Sequence, residues 1–448
     1  MPAVPSSETM VDDLSLTDRA RGCAELLVRR LADPGLVAEA VARCDRDAKY
    51  PFEWGGASLF VGPAGTAVAF QNAARALPAE ADYWRALAYE QLAAAARHTH
   101  EVPLAQCSMA SGTAGLAFAF SECAVDDPRY RPTLHKLSVQ LATQVLATPS
   151  PRGDNGVTDA DYDLINGKAG ILAQLCTDWR SDPLVEQAVG SLVDDLVWLC
   201  TPTSTTGREP WFIPPANYPP LDEYHEDFPH GYVNLGLSHG IPGPLAALSC
   251  AALAGFRHER LPETIRHIAE YVVEFALAEP DGPHWPTGVG LTEDGEEDPA
   301  RRPPAAWTWC YGTPGVTCAL LKAGAALGDD GLRAAAVDAF EGFLRRLDAN
   351  SRFPSATLCH GGAGVLAICA LFARQTGSAL ARDALGLLLE QVLAHCDPAL
   401  PLGVQELEQP GVLLDSPALL SGSAGVALAL WSATAPIGSG WERALLIS

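Results

Sequence analysis

Seven times along the chain the phrase Gly-x-x-Gly is followed by a run of small and apolar residues, and this repeat constrains the fold more than any other feature. The copies begin at Gly62, Gly112, Gly167, Gly240, Gly312, Gly361 and Gly422, reading VGPAGTAVAF, SGTAGLAFAF, NGKAGILAQL, HGIPGPLAAL, YGTPGVTCAL, HGGAGVLAIC and SGSAGVALAL. A single GxxG carries no information. Seven copies 49 to 73 residues apart describe a repeat architecture, in which each unit buries its apolar face against its neighbours. A spacing of about 50 residues accommodates two ordinary helices and two short connections.

The segments between the copies are amphipathic. Asp182-Pro183 reads as a helix N-cap with proline in the first turn. Beyond it Val185, Val189, Leu192, Val193 and Leu196 share one helical face, with Glu186, Asp194 and Asp195 off it. Residues 332–347 follow the same pattern. Each repeat is therefore an outer amphipathic helix, a glycine turn and an inner helix apolar all round, which must be buried on every side. An open array would need polar terminal repeats, yet the first and last inner segments, GTAVAFQNAARAL and GVALALWSA, are as apolar as the middle ones. They must bury each other. The predicted fold is an all-α, α,α-toroid of seven inner and seven outer helices. It forms a single domain over residues 1–448 without a sheet, and residues 1–18 are expected to be a flexible N-terminal segment.

The chain carries 54 acidic against 30 basic residues, a formal charge of −24, which repels nucleic-acid backbones. No apolar run approaches the roughly 20 residues of a membrane span. The first residues, MPAVPSSETMVDDLSLTD, lack the basic and apolar regions of a secretory signal, so a cytoplasmic location is expected. Twelve cysteines in such a chain should be reduced. Cys176, Cys200, Cys250, Cys318 and Cys369 lie inside apolar runs and read as small core residues.

The two longest gaps carry Pro-rich surplus segments, residues 202–231 and 280–306, which read as covers over a shared mouth of the barrel. In a ring, the residues just before each GxxG all face that mouth. The first copy offers the apolar Phe60 and Val61 there, but four copies offer polar chemistry: Asp163 and Asn166, His239, Trp309-Cys310-Tyr311, and Cys359-His360. Cys310, Cys359 and His360 make a credible zinc set, because thiolate and imidazole suit this ion and three protein ligands leave a fourth position open for catalysis. Taken singly, the thiols could be core residues and His360 a helix cap. Their equivalent places in adjacent repeats favour the metal.

At these residues the chain resembles the lanthipeptide cyclases, the LanC family. The resemblance rests on NLGLSHGIPGPLAAL (residues 234–248), WCYGTPGV (309–316), LCHGGAGVL (358–366) and, more faintly, YDLINGKAGIL (162–172), and the seven repeats extend it over nearly the whole chain. It implies an α,α-toroid that binds one zinc ion per chain through Cys310, Cys359 and His360. It also implies His239 and Asp163 as the proton-handling groups, with Trp309 and Tyr311 lining the substrate site. Two positions depart from the family pattern. Ala306 stands where members often carry an arginine, which leaves Arg302, a few residues upstream, as the candidate substrate-binding replacement. Thr313 stands where many members have aspartate.

The implied reaction is addition of a substrate cysteine thiolate to dehydroalanine or dehydrobutyrine in the same peptide, which closes a lanthionine or methyllanthionine thioether ring. Metal coordination favours the thiolate, which is the nucleophile. The enolate left at the α-carbon needs a proton, and histidine titrates in the right range to supply it. The implied partners are a leader-bearing precursor peptide and a separate dehydratase, since the ring leaves no room in the chain for one. Three rivals share parts of this reading: a related enzyme adding glutathione to dehydroamino acids, an inactive peptide-binding scaffold of a biosynthetic complex, and an α,α-barrel glycosidase. The last needs two carboxylates in the mouth, where the repeat register offers only Asp163.

Overall fold

The computed structural model describes residues 15–148, 152–203, 207–219, 222–348, 350–435 and 440–448. Its helices in chain order are α1 (Leu16–Leu31), α2 (Pro34–Asp47), α3 (Pro63–Ala76), α4 (Ala81–Glu101), α5 (Thr113–Asp126), α6 (Arg131–Ala147), α7 (Lys168–Leu175), α8 (Pro183–Leu199), α9 (Asp222–Asp227), α10 (Pro242–Leu253), α11 (Leu261–Glu274), α12 (Thr313–Leu327), α13 (Asp330–Arg346), α14 (Gly362–Gln375), α15 (Ala379–Leu393) and α16 (Ser423–Thr434). Each glycine motif opens an inner helix: α3, α5, α7, α10, α12, α14 and α16. These helices are buried nearly all round; in α3 every residue from Ala64 to Ala74 is buried.

Outer helices bury one face only. In α8 the buried set includes Val185, Val189, Leu192, Val193 and Leu196, and Asp182 accepts the amide of Leu184 as its N-cap. The tight hairpins run inner helix first: α3 packs on α4, α5 on α6, α12 on α13 and α14 on α15. The seventh inner helix, α16, is backed by α1 from the other end of the chain, and α16 also meets α3. The ring is closed. Helix α1 is capped by Ser15, so the flexible segment expected over residues 1–18 does not extend to residues 15–18; residues 1–14 lie outside the described residues. No helix of the described residues is long and apolar enough to cross a membrane.

The glycines explain how seven inner helices fit round one axis. A methyl group on Gly65 would lie 2.1 Å from the Leu59 carbonyl oxygen and 2.8 Å from Leu419 Cβ of the neighbouring repeat. The second glycine of the other motifs likewise faces a residue of the preceding repeat. Backbone bonds stitch the same layer. Residues two or three before each motif link repeat to repeat: Leu59 N–H to Ala110 O (2.9 Å), Ala110 to Ile165 (3.0 Å), Leu164 to Ser238 (3.1 Å), Ser238 to Cys310 (3.3 Å), Cys359 to Leu420 (3.1 Å) and Leu420 to Phe60 (3.2 Å). All the pre-motif loops are thereby gathered at one rim.

The expectation of no sheet is corrected in a small way. The second Pro-rich segment supplies β2 (Gly288–Leu291) and β3 (Glu297–Asp298), which form one antiparallel sheet with β1 (Tyr232–Asn234), the strand just after the first segment. A hairpin of β4 (Glu406–Gln409) and β5 (Val412–Leu414) precedes α16. These strands are three or four residues long at most and sit in connections, where helical periodicity gives no signal. The opposite end of the barrel is filled by Trp441, Leu445, Leu446 and Ile447, all buried, and the Trp309 indole N–H donates to Leu445 O at 2.9 Å.

Candidate active site and metal centre

The repeat register brings Cys310, Cys359 and His360 together: one ligand atom from each lies within 4.8 Å of the other two. Cys359 Sγ is 3.6 Å from His360 Nε2. Ligand atoms on a tetrahedral zinc ion are about 3.3–3.8 Å apart, so the trio needs only a small closure to hold one. Cys310 is buried and takes the Thr308 hydroxyl at 3.3 Å, whereas His360 faces the mouth with 58% of its side chain exposed. A hydrogen bond from Cys359, followed by His360, pulls the Cys310 thiol well below its usual range despite burial. Burial works against a charged His360, yet Cys310 and Glu406 raise it to about 10. The donor set therefore favours a thiolate even before a metal enters, as a soft-ion site requires.

His239 and Asp163, from adjacent repeats, also meet: Nδ1 of His239 lies 2.6 Å from Asp163 Oδ2. Asp163 is fully buried, and its Oδ1 accepts the amides of Asn166 and Gly167, each at 2.7 Å. The carboxylate is thus locked by its own helix start, and the imidazole is oriented by the carboxylate. The His239 side chain keeps 34% exposure toward the mouth. Burial alone would lower its pKa, but the Asp163 hydrogen bond and the charges of Asp163, Asp159 and Cys310 outweigh that and raise it. Ser238 bonds Cys310 O through its amide, which ties the histidine loop to the first thiol.

The expected substrate residues fare unevenly. Tyr311 lies at the rim, its hydroxyl accepting from Asn234 Nδ2 at 3.1 Å, and Asn234 ends β1 of the three-stranded sheet. Trp309 does not line the mouth. It is fully buried, at the layer where the other repeats carry Leu59, Met109, Leu164, Leu237, Leu358 and Leu419, so it packs beneath Cys310. Arg302 lies over the ring of Phe275 at 5.4 Å, and among the described residues it shows no contact with His239, Asp163 or the cysteines.

Two acids escaped the sequence reading. Asp159 Oδ2 lies 3.9 Å from His239 Nδ1, and burial raises the Asp159 carboxyl above its usual value against the pull of His239. Glu406 Oε1 lies 3.4 Å from His360 Nδ1. Neither precedes a glycine motif directly: Asp159 sits eight residues before Gly167, and Glu406 sixteen before Gly422. The only available signal was their place inside connections that run to the rim.

Comparison with known proteins agrees with this geometry. Over 272 residues the chain is 28% identical to the nisin biosynthesis protein NisC of Lactococcus lactis subsp. lactis, a match that covers 60% of this chain and 62% of that protein's length. Its structure aligns with that of nisin cyclase at a TM-score of 0.72 and 21% identity, covering 92% of this chain and 96% of the other, and so shares the fold. Residues 53–446 match the family described as lanthionine synthetase C-like protein. A closed double ring of helices, a Cys-Cys-His cluster on its rim and a sequence match over nearly all of the chain lead to one assignment: this protein belongs to the lanthionine synthetase C-like family.

Proposed function

We propose that the protein is a zinc-dependent cyclase that closes thioether rings in a dehydrated precursor peptide. The single observation carrying this is the convergence, on one rim, of a two-thiol, one-imidazole ligand set with an Asp-oriented histidine. A zinc ion held by Cys310, Cys359 and His360 would lower the pKa of an incoming cysteine thiol at its fourth position, while two thiolate ligands keep that sulfur nucleophilic.

The remaining work falls to the chain's own residues. Asp163 fixes His239 with Nδ1 toward the carboxylate, which leaves Nε2 for the substrate. His239, whose pKa Asp163 raises against the effect of burial, is the group in place to deliver a proton to the α-carbon as the enolate forms. Tyr311, held by Asn234, borders the same opening and positions the peptide. The double bonds consumed here must come from a dehydratase acting first on the leader-bearing peptide. Likeness to a nisin biosynthesis protein supports the cyclase reading, and an inactive scaffold would have no use for a clustered Cys-Cys-His set.

The test is metal content and turnover together. Purified protein should hold about one zinc per chain, and Cys310→Ala and Cys359→Ala should lose it along with ring closure of a dehydrated peptide. A wild-type protein that closes rings equally well after complete zinc removal would sink the proposal. A product carrying the mass of added glutathione would redirect it to an external thiol.

A further inference from the structure

Six of the seven junctions between repeats are stitched by a backbone bond between pre-motif loops, and among the described residues the seventh is not. The unstitched junction joins the loop of Cys310 to the loop of Cys359: Cys310 O accepts from Ser238 and Cys359 N–H donates to Leu420, but no backbone bond passes between the two cysteine loops. The ligands therefore straddle the one seam whose spacing the backbone does not set. Something else must place Cys359 and His360 before a metal can bridge to Cys310.

Glu406 is in position to do so. It is 6% exposed and enters from β4, outside the repeat it touches. Its Oε2 accepts the hydroxyls of Thr357 at 2.5 Å and Ser355 at 3.2 Å, and these two hydroxyls lie 3.0 Å from each other. Its Oε1 faces His360 Nδ1 at 3.4 Å. One carboxylate thus holds three side chains of the residue 355–360 loop. Once Nδ1–H points at Oε1, Nε2 is the nitrogen left with a free lone pair, and Nε2 is the atom near Cys359 Sγ.

We infer that Glu406 is a positioning residue for the metal: it sets the tautomer and aim of His360 and preorganises the Cys359–His360 half of the site across the seam. The β4–β5 hairpin then has a function, as the mount for that carboxylate. The inference rests on the zinc reading above.

Zinc affinity of the full-length chain, measured by competition with a chromophoric chelator, tests it. Wild type should bind one ion per chain. Glu406→Gln keeps the size of the side chain, and the rotatable hydroxyls of Ser355 and Thr357 can accept from its amide, so the metal-free protein should melt close to wild type. Its zinc affinity should fall about 10- to 100-fold. The cobalt(II) form should show an altered ligand-field spectrum, which a purely structural role would not produce. Affinity within twofold of wild type, with an unchanged cobalt spectrum, overturns the assignment. If Glu406→Gln does not fold, Thr357→Val carries the test, because it removes the shorter of the two bonds to Oε2 and leaves the carboxylate: a site weaker by about threefold or more supports the role, and an unchanged site refutes it. Wild type that takes up no zinc would instead remove the metal reading beneath the inference, and that result needs no variant.

Discussion

Replacing Asp163 by Asn probes the proposed proton-handling pair with little change of shape. The amide oxygen can keep the two bonds from Asn166 and Gly167, each 2.7 Å, so the start of α7 should survive. What changes is the 2.6 Å contact to His239 Nδ1, where an NH2 group now points at a nitrogen that must become an acceptor. The proton moves to Nε2, and the imidazolium loses its charged partner. A charge-assisted hydrogen bond contributes about 1.5–3 kcal/mol, equivalent to a factor of about 10 to 150 in rate if expressed fully in the transition state. Enforcing the wrong tautomer in other Asp–His pairs costs up to about 10⁴. Cyclisation should therefore slow by about 10²- to 10⁴-fold with zinc content unchanged.

The pH profile adds a second signature. The pKa of His239 is raised in the folded protein, so an acid role is lost as pH rises through that value, and the stability it contributes is present below the ordinary histidine pKa and lost over the same rise. Asp163→Asn removes two upward causes and leaves burial, which acts downward, so the alkaline limb should shift to lower pH. The assay is quenched reaction of a dehydrated peptide, alkylation of remaining thiols and mass counting of unalkylated rings, alongside a ¹⁵N titration of His239. A variant that closes rings within about threefold of wild type, with the same alkaline limb, would refute the assigned role of this pair.

Gly364→Ala would set a methyl 2.1 Å from Leu358 O and 2.9 Å from Trp309 Cβ, neither of which can swing aside, so thermal unfolding should show a loss of at least about 1–3 kcal/mol. Asp159→Asn should act in the opposite direction on stability. The folded-state pKa of Asp159 is raised, chiefly by burial, so its ionised form opposes folding near neutral pH; the amide should raise the melting temperature at pH 7, with the gain fading as pH falls through the ordinary carboxyl range.

The ring itself was legible in the chain because a repeat writes the same packing problem seven times. The second glycine of each motif marks where one inner helix presses on the next, and apolar end repeats force closure. The Cys-Cys-His cluster was legible for the same reason: Cys310 and Cys359 occupy one register position in neighbouring repeats. Trp309 misled, since its position beside Cys310 hides that its layer points inward, as Leu358 and Leu419 do in theirs.

Tertiary structure alone decided what the connections do. Helical periodicity gives no account of the second Pro-rich segment pairing with residues 232–234 in one sheet, or of α1 closing the ring against α16. Asp159 and Glu406 sit outside the repeat register, and their contacts with His239 and His360 depend on how irregular segments travel over the rim. Repetition specifies whatever recurs in every unit through local pattern. A contact made once, between a connection and a distant loop, has no pattern to announce it, because only the folded path of the chain brings its two ends together.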